Sequence, residues 1–168
     1  MIINIARKEL KSLFASPMGW IILALLMLAF GSFYLQGINN YFEVMSGAIR
    51  PAERVGVTIF VGQTVYGIAS FLMLFAVPLL SMRLISEERK SQTLPFLFSA
   101  PISLTEIVLG KFLGLILFLS ILVGYILIML STLNIWSDID FGYLIANSLV
   151  KLEFAIIILI NFIVFLGE

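Results

Sequence analysis

Few side chains in this 168-residue sequence could carry chemistry. There is no Cys and no His, which excludes disulfides, thiol nucleophiles, imidazole bases and the usual zinc or haem ligands. The nearest approach to a phosphate-binding loop is Gly110-Lys111, but it lacks a glycine at Thr105 and is followed by Phe112 in place of Ser or Thr. We therefore predict a protein that is not an enzyme and has no catalytic, cofactor-binding or metal-binding residues.

The densest group of charges lies in the stretch SEERKSQTLPFLFSAPIS, residues 86–103, between two long apolar segments. Four consecutive charged residues open it: Glu87, Glu88, Arg89 and Lys90. Charges of both signs are suited to the end of a helix that leaves a membrane. This cluster is the first candidate site.

A short helix is predicted directly after these charges. Thr93 is an N-cap residue type, and Pro95 falls in the first turn, where its missing N–H costs little. Pro101 ends the helix. Its apolar face comprises Leu94, Leu97 and Phe98. A capping box then follows from Ser103 to Glu106, which predicts the start of the next helix.

The composition places this stretch in a membrane protein. The chain is 61% hydrophobic and 12% charged, whereas soluble domains are roughly half apolar and a quarter charged. A membrane-crossing helix needs about 20 apolar residues. The predicted elements of a single transmembrane domain are an interfacial helix at 1–16, spans at 18–37, 57–82, 112–136 and 141–167, and a cytoplasmic coupling loop at 83–111. The fold class is all-α, a polytopic helix bundle.

The fourth predicted span differs from the others because it contains Lys151 and Glu153. Ionisable residues inside a membrane are functional candidates by default. Alternatively, a short last span that begins near Val150 leaves both at the outer interface. We expect the second arrangement.

The basic residues predict the orientation of the spans. Seven lie in the N-terminal flank and the coupling loop: Arg7, Lys8, Lys11, Arg83, Arg89, Lys90 and Lys111. Only Arg50 and Arg54 lie in the loops on the other side. The positive-inside rule then puts the N-terminus and the coupling loop in the cytoplasm, in a multi-pass inner-membrane protein. A cleavable signal peptide is the alternative for the N-terminus, but no A-x-A site follows the first apolar run, so we expect an uncleaved span.

The residues before the first span recur at helical spacing. The apolar positions of this segment are Ile2, Ile3, Ala6, Leu10, Leu13 and Phe14. The opposite side of the predicted helix carries Arg7, Lys8, Lys11 and Ser12. This pattern predicts an amphipathic helix on the cytoplasmic membrane surface that ends at Ser16-Pro17. A simple basic flank that sets the orientation is the alternative.

Small residues one turn apart occur twice in and before the third span. Gly110 and Gly114 form the first pair, and Ser120 and Gly124 form the second. Such pairs allow two helices to approach closely. We predict that these four residues are helix-packing positions, although apolar helices also carry small residues by chance.

The run SEERKSQTLPFLFSAPISLTEIVLGKF resembles the cytoplasmic signature of ABC-2 type permeases. That signature is close to EE(K/R)xxGTLExLLxxPIS, then a few residues, then a hydrophobic residue and LGK. The positions in register are Glu87, Glu88, Arg89, Thr93, Leu94, Leu97, Pro101, Ile102, Ser103, Leu109, Gly110 and Lys111. Gln92 and Pro95 depart from it, where the family favours Gly and Glu. The opening RKELKSLFASPMGW also resembles the start of the family. The gliding-motility-associated and copper-processing groups are the most similar in character.

The resemblance implies partners and a mechanism. A separate ATP-binding subunit would dock on the coupling loop. The apolar anchors of the loop would be Leu94, Leu97 and Phe98. The charged residues from Glu87 to Lys90 would fix the position of the loop on the subunit by electrostatic interactions. The permease would act as a homodimer or as a heterodimer with a second permease. Family members usually have six spans, so we expect the chain to be a fragment.

Two other functions remain open from the sequence. A membrane scaffold or assembly subunit could use the same loop to recruit a soluble partner. A small secondary transporter could instead use Lys151 and Glu153. The sequence gives no signature for the substrate or for the direction of transport, and no feature indicates nucleic-acid binding.

Overall fold

The computed structural model describes residues 2–47, 56–91, 104–135 and 137–167, with the side chains of 83–91, 104–105, 163 and 165–167 left out of the description. These residues form five α-helices. They are α1 (Ile2–Ala15), α2 (Pro17–Met45), α3 (Val57–Ser91), α4 (Leu104–Ser131), which continues into a short 3-10 helix (Thr132–Ile135), and α5 (Phe141–Gly167). The described residues contain no strand, so the predicted all-α class is confirmed.

Four of the helices are long and apolar enough to cross a membrane, as predicted. The candidate spans are Pro17–Met45, Val57–Met82, Glu106–Ile135 and Phe141–Phe162. Several of their bounds differ from the sequence prediction. The first span continues past Gly37, and the third begins before Lys111, because neither a glycine nor one paired charge ends a helix.

The junction between α1 and α2 is a sharp break at Ser16. Its backbone is extended, with φ −92° and ψ 134°, and Pro17 occupies the first position of α2. Proline disfavours a helical conformation at the residue before it, so α1 ends at Ala15. The indole N–H of Trp20 donates a hydrogen bond of 2.7 Å to the carbonyl of Phe14, one of the carbonyls that a helix end leaves without an internal partner.

The bundle is held by four main helix pairs: α1 with α4, α2 with α3, α3 with α5, and α4 with α5. Its core is apolar. The largest fully buried side chains include Phe30 on α2, Met73 on α3, Phe118 on α4 and Leu159 on α5. Large apolar side chains on the outside, such as Leu28 at 72% exposed, are suited to contact with lipid.

Two glycines allow close helix approach within the bundle. A Cβ on Gly37 of α2 would lie 3.2 Å from Val61 Cγ1 of α3, and one on Gly62 of α3 would lie 2.8 Å from Tyr143 Cε1 of α5. Gly37 therefore serves the α2–α3 contact instead of ending the first span. Close backbone approach of this kind is how membrane helices gain packing energy.

A buried hydroxyl joins α3 to α5. The hydroxyl of Tyr66 donates to the carbonyl of Leu144, at 2.9 Å, and lies 2.8 Å from Ser148 Oγ. Because a phenol has a single hydrogen, the Ser148 hydroxyl donates to Tyr66. Tyr66 is only 3% exposed, so these bonds form away from water.

Replacing Tyr66 with phenylalanine removes both hydrogen bonds and keeps the ring. We expect Tyr66→Phe to lower the stability of the bundle by about 0.5–1.5 kcal/mol, since Ser148 can turn to the Leu144 carbonyl of its own helix. Thermal unfolding in neutral detergent micelles measures the change. Tyr41→Phe is the matched control, because the Tyr41 ring packs on Phe60 and no hydrogen bond of its hydroxyl to a described residue is present. Equal stability of the two variants would show that the hydrogen bonds of the Tyr66 hydroxyl do not stabilise the bundle.

Candidate functional site

Helix α1 lies along the first turns of α4, which include the last residues of the predicted coupling loop. Gly110 is buried in this contact. A Cβ placed on it would lie 2.6 Å from Ile5 Cβ and 3.2 Å from the carbonyl oxygen of Ile2. Real Cβ atoms do not approach that closely, so only glycine allows α1 to sit at this distance.

One turn further along α4, Gly114 has the same role. A Cβ on Gly114 would lie 2.8 Å from Glu9 Cβ and 3.0 Å from the carbonyl oxygen of Ala6. The neighbouring atom is a backbone oxygen, which cannot turn away as a side-chain end could. The two glycines therefore form a groove in the surface of α4 into which the backbone of α1 fits. We call this contact the α1–α4 clamp, defined by Ile5, Ala6, Glu9, Gly110 and Gly114.

An ion pair closes the clamp. Lys111 Nζ lies 3.0 Å from Glu9 Oε1, and the two side chains are 17% and 14% exposed. The pair is therefore largely shielded from solvent, where a charge interaction is stronger than at a protein surface. Since Lys111 directly follows Gly110, the pair fixes the rotation of α1 as well as its position.

Aromatic contacts fix the other end of α1. The ring of Phe14 lies 5.4 Å from the ring of Phe118 on α4 and 5.6 Å from the ring of Trp20 on α2, measured between centroids. The second contact is edge-to-face, a favoured geometry for aromatic pairs. Phe14 thus joins α1 to both neighbouring helices.

The surface of α1 that points away from α4 is cationic. Glu9 is the only acidic residue of α1, and it is turned inward to Lys111. Arg7, Lys8 and Lys11 are exposed. Within the predicted apolar face, Leu13 is buried in the bundle, whereas Ile3 is 78% exposed. That exposed apolar position beside the basic residues is consistent with a helix at a membrane surface.

Comparison of the sequence with models of known protein families identifies the family of this chain. The model of the family described as "ABC-2 family transporter protein" matches residues 3–167. The chain belongs to this family. No curated protein and no solved structure gave a match. Membership of the ABC-2 family makes the protein a component of membrane transport, with four apolar helices to cross the bilayer.

The structure describes only the edges of the coupling loop of this ABC-2 protein. Glu87, Glu88, Arg89 and Lys90 lie in the last turns of α3, beyond the end of the candidate span at Met82. Their side chains lie outside the description. Thr93, Leu94, Leu97 and Phe98, together with the predicted helix that carries them, lie outside the described residues. Helix α4 begins at Leu104, directly after the predicted N-cap residue Ser103.

The four predicted packing positions fall into two groups. Gly110 and Gly114 meet α1 in the clamp. A Cβ placed on Gly124 would meet no described heavy atom within 4 Å beyond its chain neighbours and the nearby backbone of its own helix. The Ser120 hydroxyl donates to the carbonyl of Ile116 in its own helix at 2.8 Å. Within the described residues, the second pair therefore makes no close helix contact.

Lys151 and Glu153 lie within the candidate span Phe141–Phe162, not before a span that begins near Val150. Helix α5 is continuous through both residues. That span is assigned by length and composition, and it includes both residues, whereas we expected them at the outer interface. The apolar residues 141–150 belong to the same helix, which makes the candidate span long enough to include them.

The sequence did not predict the ion pair between Glu9 and Lys111. Lys111 was assigned to the family motif and to the orientation of the spans, and Glu9 to the family's opening motif. One signal was present: a single acidic residue on a helix with three basic residues. A lone charge of opposite sign on such a helix is a candidate for a tertiary contact.

Adding one methyl group at Gly110 tests the clamp. We expect Gly110→Ala to lower stability by about 1–3 kcal/mol, because α1 must shift away from α4. Gly124→Ala is the control, since its methyl enters open space and alanine is the better helix former. A thiol at position 6, introduced by Ala6→Cys into the cysteine-free chain, reports the shift because Ala6 is buried. Its labelling by a maleimide should be faster with Gly110→Ala only. Equal labelling in both backgrounds would show that α1 does not pack there.

Reversing the two charges tests the ion pair. Glu9→Lys and Lys111→Glu should each lower the midpoint of thermal unfolding, with a loss of about 1–3 kcal/mol, because each places like charges together in a shielded contact. The double variant should recover most of the loss. A double variant with the summed loss of the two single variants would mean that the charges do not interact.

Proposed function

We propose that this ABC-2 family protein is the membrane-spanning permease subunit of an ABC transporter, which couples ATP hydrolysis by a separate ATP-binding subunit to transport. The observation that carries the proposal is the length of α3. It is one helix from Val57 to Ser91, and its candidate span ends at Met82. Its last turns therefore extend the transmembrane rod to the charged residues of the family motif.

These turns and the predicted short helix after them would form the docking surface for the ATP-binding subunit. Leu94, Leu97 and Phe98 would enter an apolar groove of the partner, while the charges from Glu87 to Lys90 would set the register. Apolar anchors in the centre with charges at the rim are the usual division of roles at protein interfaces. Pro95 departs from the family pattern and would remove a negative charge from the start of this helix.

The clamp supports a mechanical role for the segment after the docking surface. Closure of two ATP-binding subunits would move the coupling loop, and the loop is continuous with α3 before it and α4 after it. Since α1 is held to α4 by Gly110, Gly114 and the Glu9–Lys111 pair, a displacement at the start of α4 would carry α1 with it. Motion would then reach the bundle through three helices.

The remaining features of the proposal rest on the sequence. The basic residues favour a cytoplasmic N-terminus in the inner membrane of a cell. The motif favours the gliding-motility-associated or copper-processing group of permeases. A dimer of permeases, with two like chains or two different ones, would match a pair of ATP-binding subunits.

Charge reversal in the coupling loop tests the coupling. The ATP-binding subunit that co-purifies with the affinity-tagged chain from its native membranes should show ATPase activity that the wild-type chain stimulates. Glu87→Lys with Glu88→Lys should reduce the stimulation at least about tenfold, because truncated or inverted charge pairs at an interface cost a few kcal/mol. The amount of chain in the membrane should not change.

The matched control reverses two exposed acidic residues at the opposite end of the spans, Glu43→Lys with Asp138→Lys. This variant should stimulate as the wild type does. Two results would refute the proposal. One is that no ATP-binding subunit co-purifies with the tagged chain, and the other is that the Glu87 and Glu88 variant stimulates the ATPase activity as fully as the wild type does.

A further inference from the structure

One face of α3 is polar in the outer half of its span. Gln63, Tyr66 and Ser70 follow one another at intervals of three and four residues, so they lie on the same side of the helix. Tyr66 is buried, Ser70 is half-buried and Gln63 is exposed. This polar side of α3 therefore reaches from the bundle interior at Tyr66 to the outer surface of the bundle at Gln63.

One face of α5 is polar at the same level. Tyr143, Asn147 and Lys151 are spaced four residues apart, and all three are half-buried. The side-chain amide of Asn147 donates to the carbonyl of Tyr143 at 3.0 Å, which leaves its second N–H available as a donor. Polar residues repeated on one face of a membrane helix are costly unless that face meets other polar groups.

The two polar faces meet each other. The rings of Tyr66 and Tyr143 are 6.4 Å apart in an edge-to-face arrangement, and Gly62 leaves room for the Tyr143 ring. Tyr66 also bonds to Leu144 and Ser148 on α5. A polar groove thus runs between α3 and α5, with the Tyr66 contacts as its floor. We call it the α3–α5 groove.

The groove is open on the side away from the bundle. A Cβ on Gly67, which follows Gln63 by one turn of α3, would meet no heavy atom within 4 Å. Gln63 makes no hydrogen bond of its side chain to any described residue. A ligand that approaches from the bilayer would therefore find the Gln63 amide on α3 and the remaining N–H of Asn147 on α5.

Lys151 gives the groove its charge. It lies about 15 Å along α5 from Phe141 at about 1.5 Å per residue, which is near the middle of a hydrocarbon core about 30 Å thick. Among the described residues, its amine makes no ion pair. Glu153 is two residues away on the opposite side of the helix, where it is exposed. An ammonium group at that depth is stable only beside an anion or water.

We infer that the α3–α5 groove binds the anionic headgroup of an amphiphilic ligand, a carboxylate or a phosphate, through Lys151, with Asn147, one turn before it on α5, as a hydrogen-bonding partner. Gln63 lines the groove two turns away, at the level of Tyr143. The apolar tail would lie along the exposed lipid-facing side of the bundle. The inference rests on the proposed function, because it names the substrate class that the permease would transport. An amphiphile fits the groove, since its headgroup matches the polar floor and its tail matches the surroundings.

Native mass spectrometry of the full chain in dodecyl maltoside micelles tests this inference with two probes, dodecyl phosphate and dodecanoate. We expect saturable binding of at least one of them, about tenfold weaker in Lys151→Met, and within about threefold of wild type in Lys151→Arg, which keeps the charge. Preference for one probe identifies the headgroup as a phosphate or a carboxylate. Dodecyltrimethylammonium, which has the opposite charge, should not bind at this site.

Lys11→Met is the matched control, because Lys11 is an exposed cation of α1 far from the groove in sequence. It should bind both probes as the wild type does. Wild-type binding by Lys151→Met would overturn the inference, and so would a loss caused by Lys11→Met alone, which would place the anion on α1. The assay contains no ATP-binding subunit, so its outcome is independent of the ATPase stimulation that tests the proposed function.

Discussion

The structure depends on the close approach of two helix backbones at Gly110 and Gly114. Membrane helices gain little from the hydrophobic effect against one another, because lipid is as apolar as their side chains. Packing contacts and shielded polar contacts must hold them instead. At the clamp both kinds coincide, since two glycines admit the backbone of α1 and the Glu9–Lys111 pair fixes its rotation. Helix α1 is consequently held against the first turns of α4.

Helices α3 and α5 must also be held together by packing and shielded polar contacts, but the residues that supply these contacts are different. There a tyrosine supplies the contact, because Tyr66 satisfies its hydroxyl on Leu144 and Ser148 within an apolar bundle. Of the polar groups near it, Gln63 is exposed, and Asn147 and Lys151 are half-buried. The bundle therefore has glycine packing and an ion pair at the start of α4, and polar groups where α3 meets α5. Under the proposed function, the first region would receive motion from an ATP-binding subunit and the second would meet the substrate.

Much of the fold follows from the sequence, because hydropathy alone specifies where a helix can cross a bilayer. The predicted span at 57–82 coincides with a candidate span of the structure. The pair Gly110 and Gly114 also indicated close packing, but periodicity does not identify the partner helix, and α1 was assigned only to the membrane surface. The α1–α4 clamp needs a tertiary contact between residues about a hundred positions apart. Lys151 lies within a candidate span and not at the expected interface, because residues 141–150 are continuous with the rest of α5.

The most direct test of this account is the distance between α1 and α4 in a lipid bilayer. Spin labels at Lys8→Cys on the exposed side of α1 and Leu117→Cys on the exposed side of α4 report it by double electron–electron resonance in the otherwise cysteine-free chain. A clamped α1 predicts one narrow distance distribution, unchanged when the ATP-binding subunit and ATP are added. A broad distribution, or a shift on addition of the subunit and ATP, would contradict a rigid α1–α4 unit.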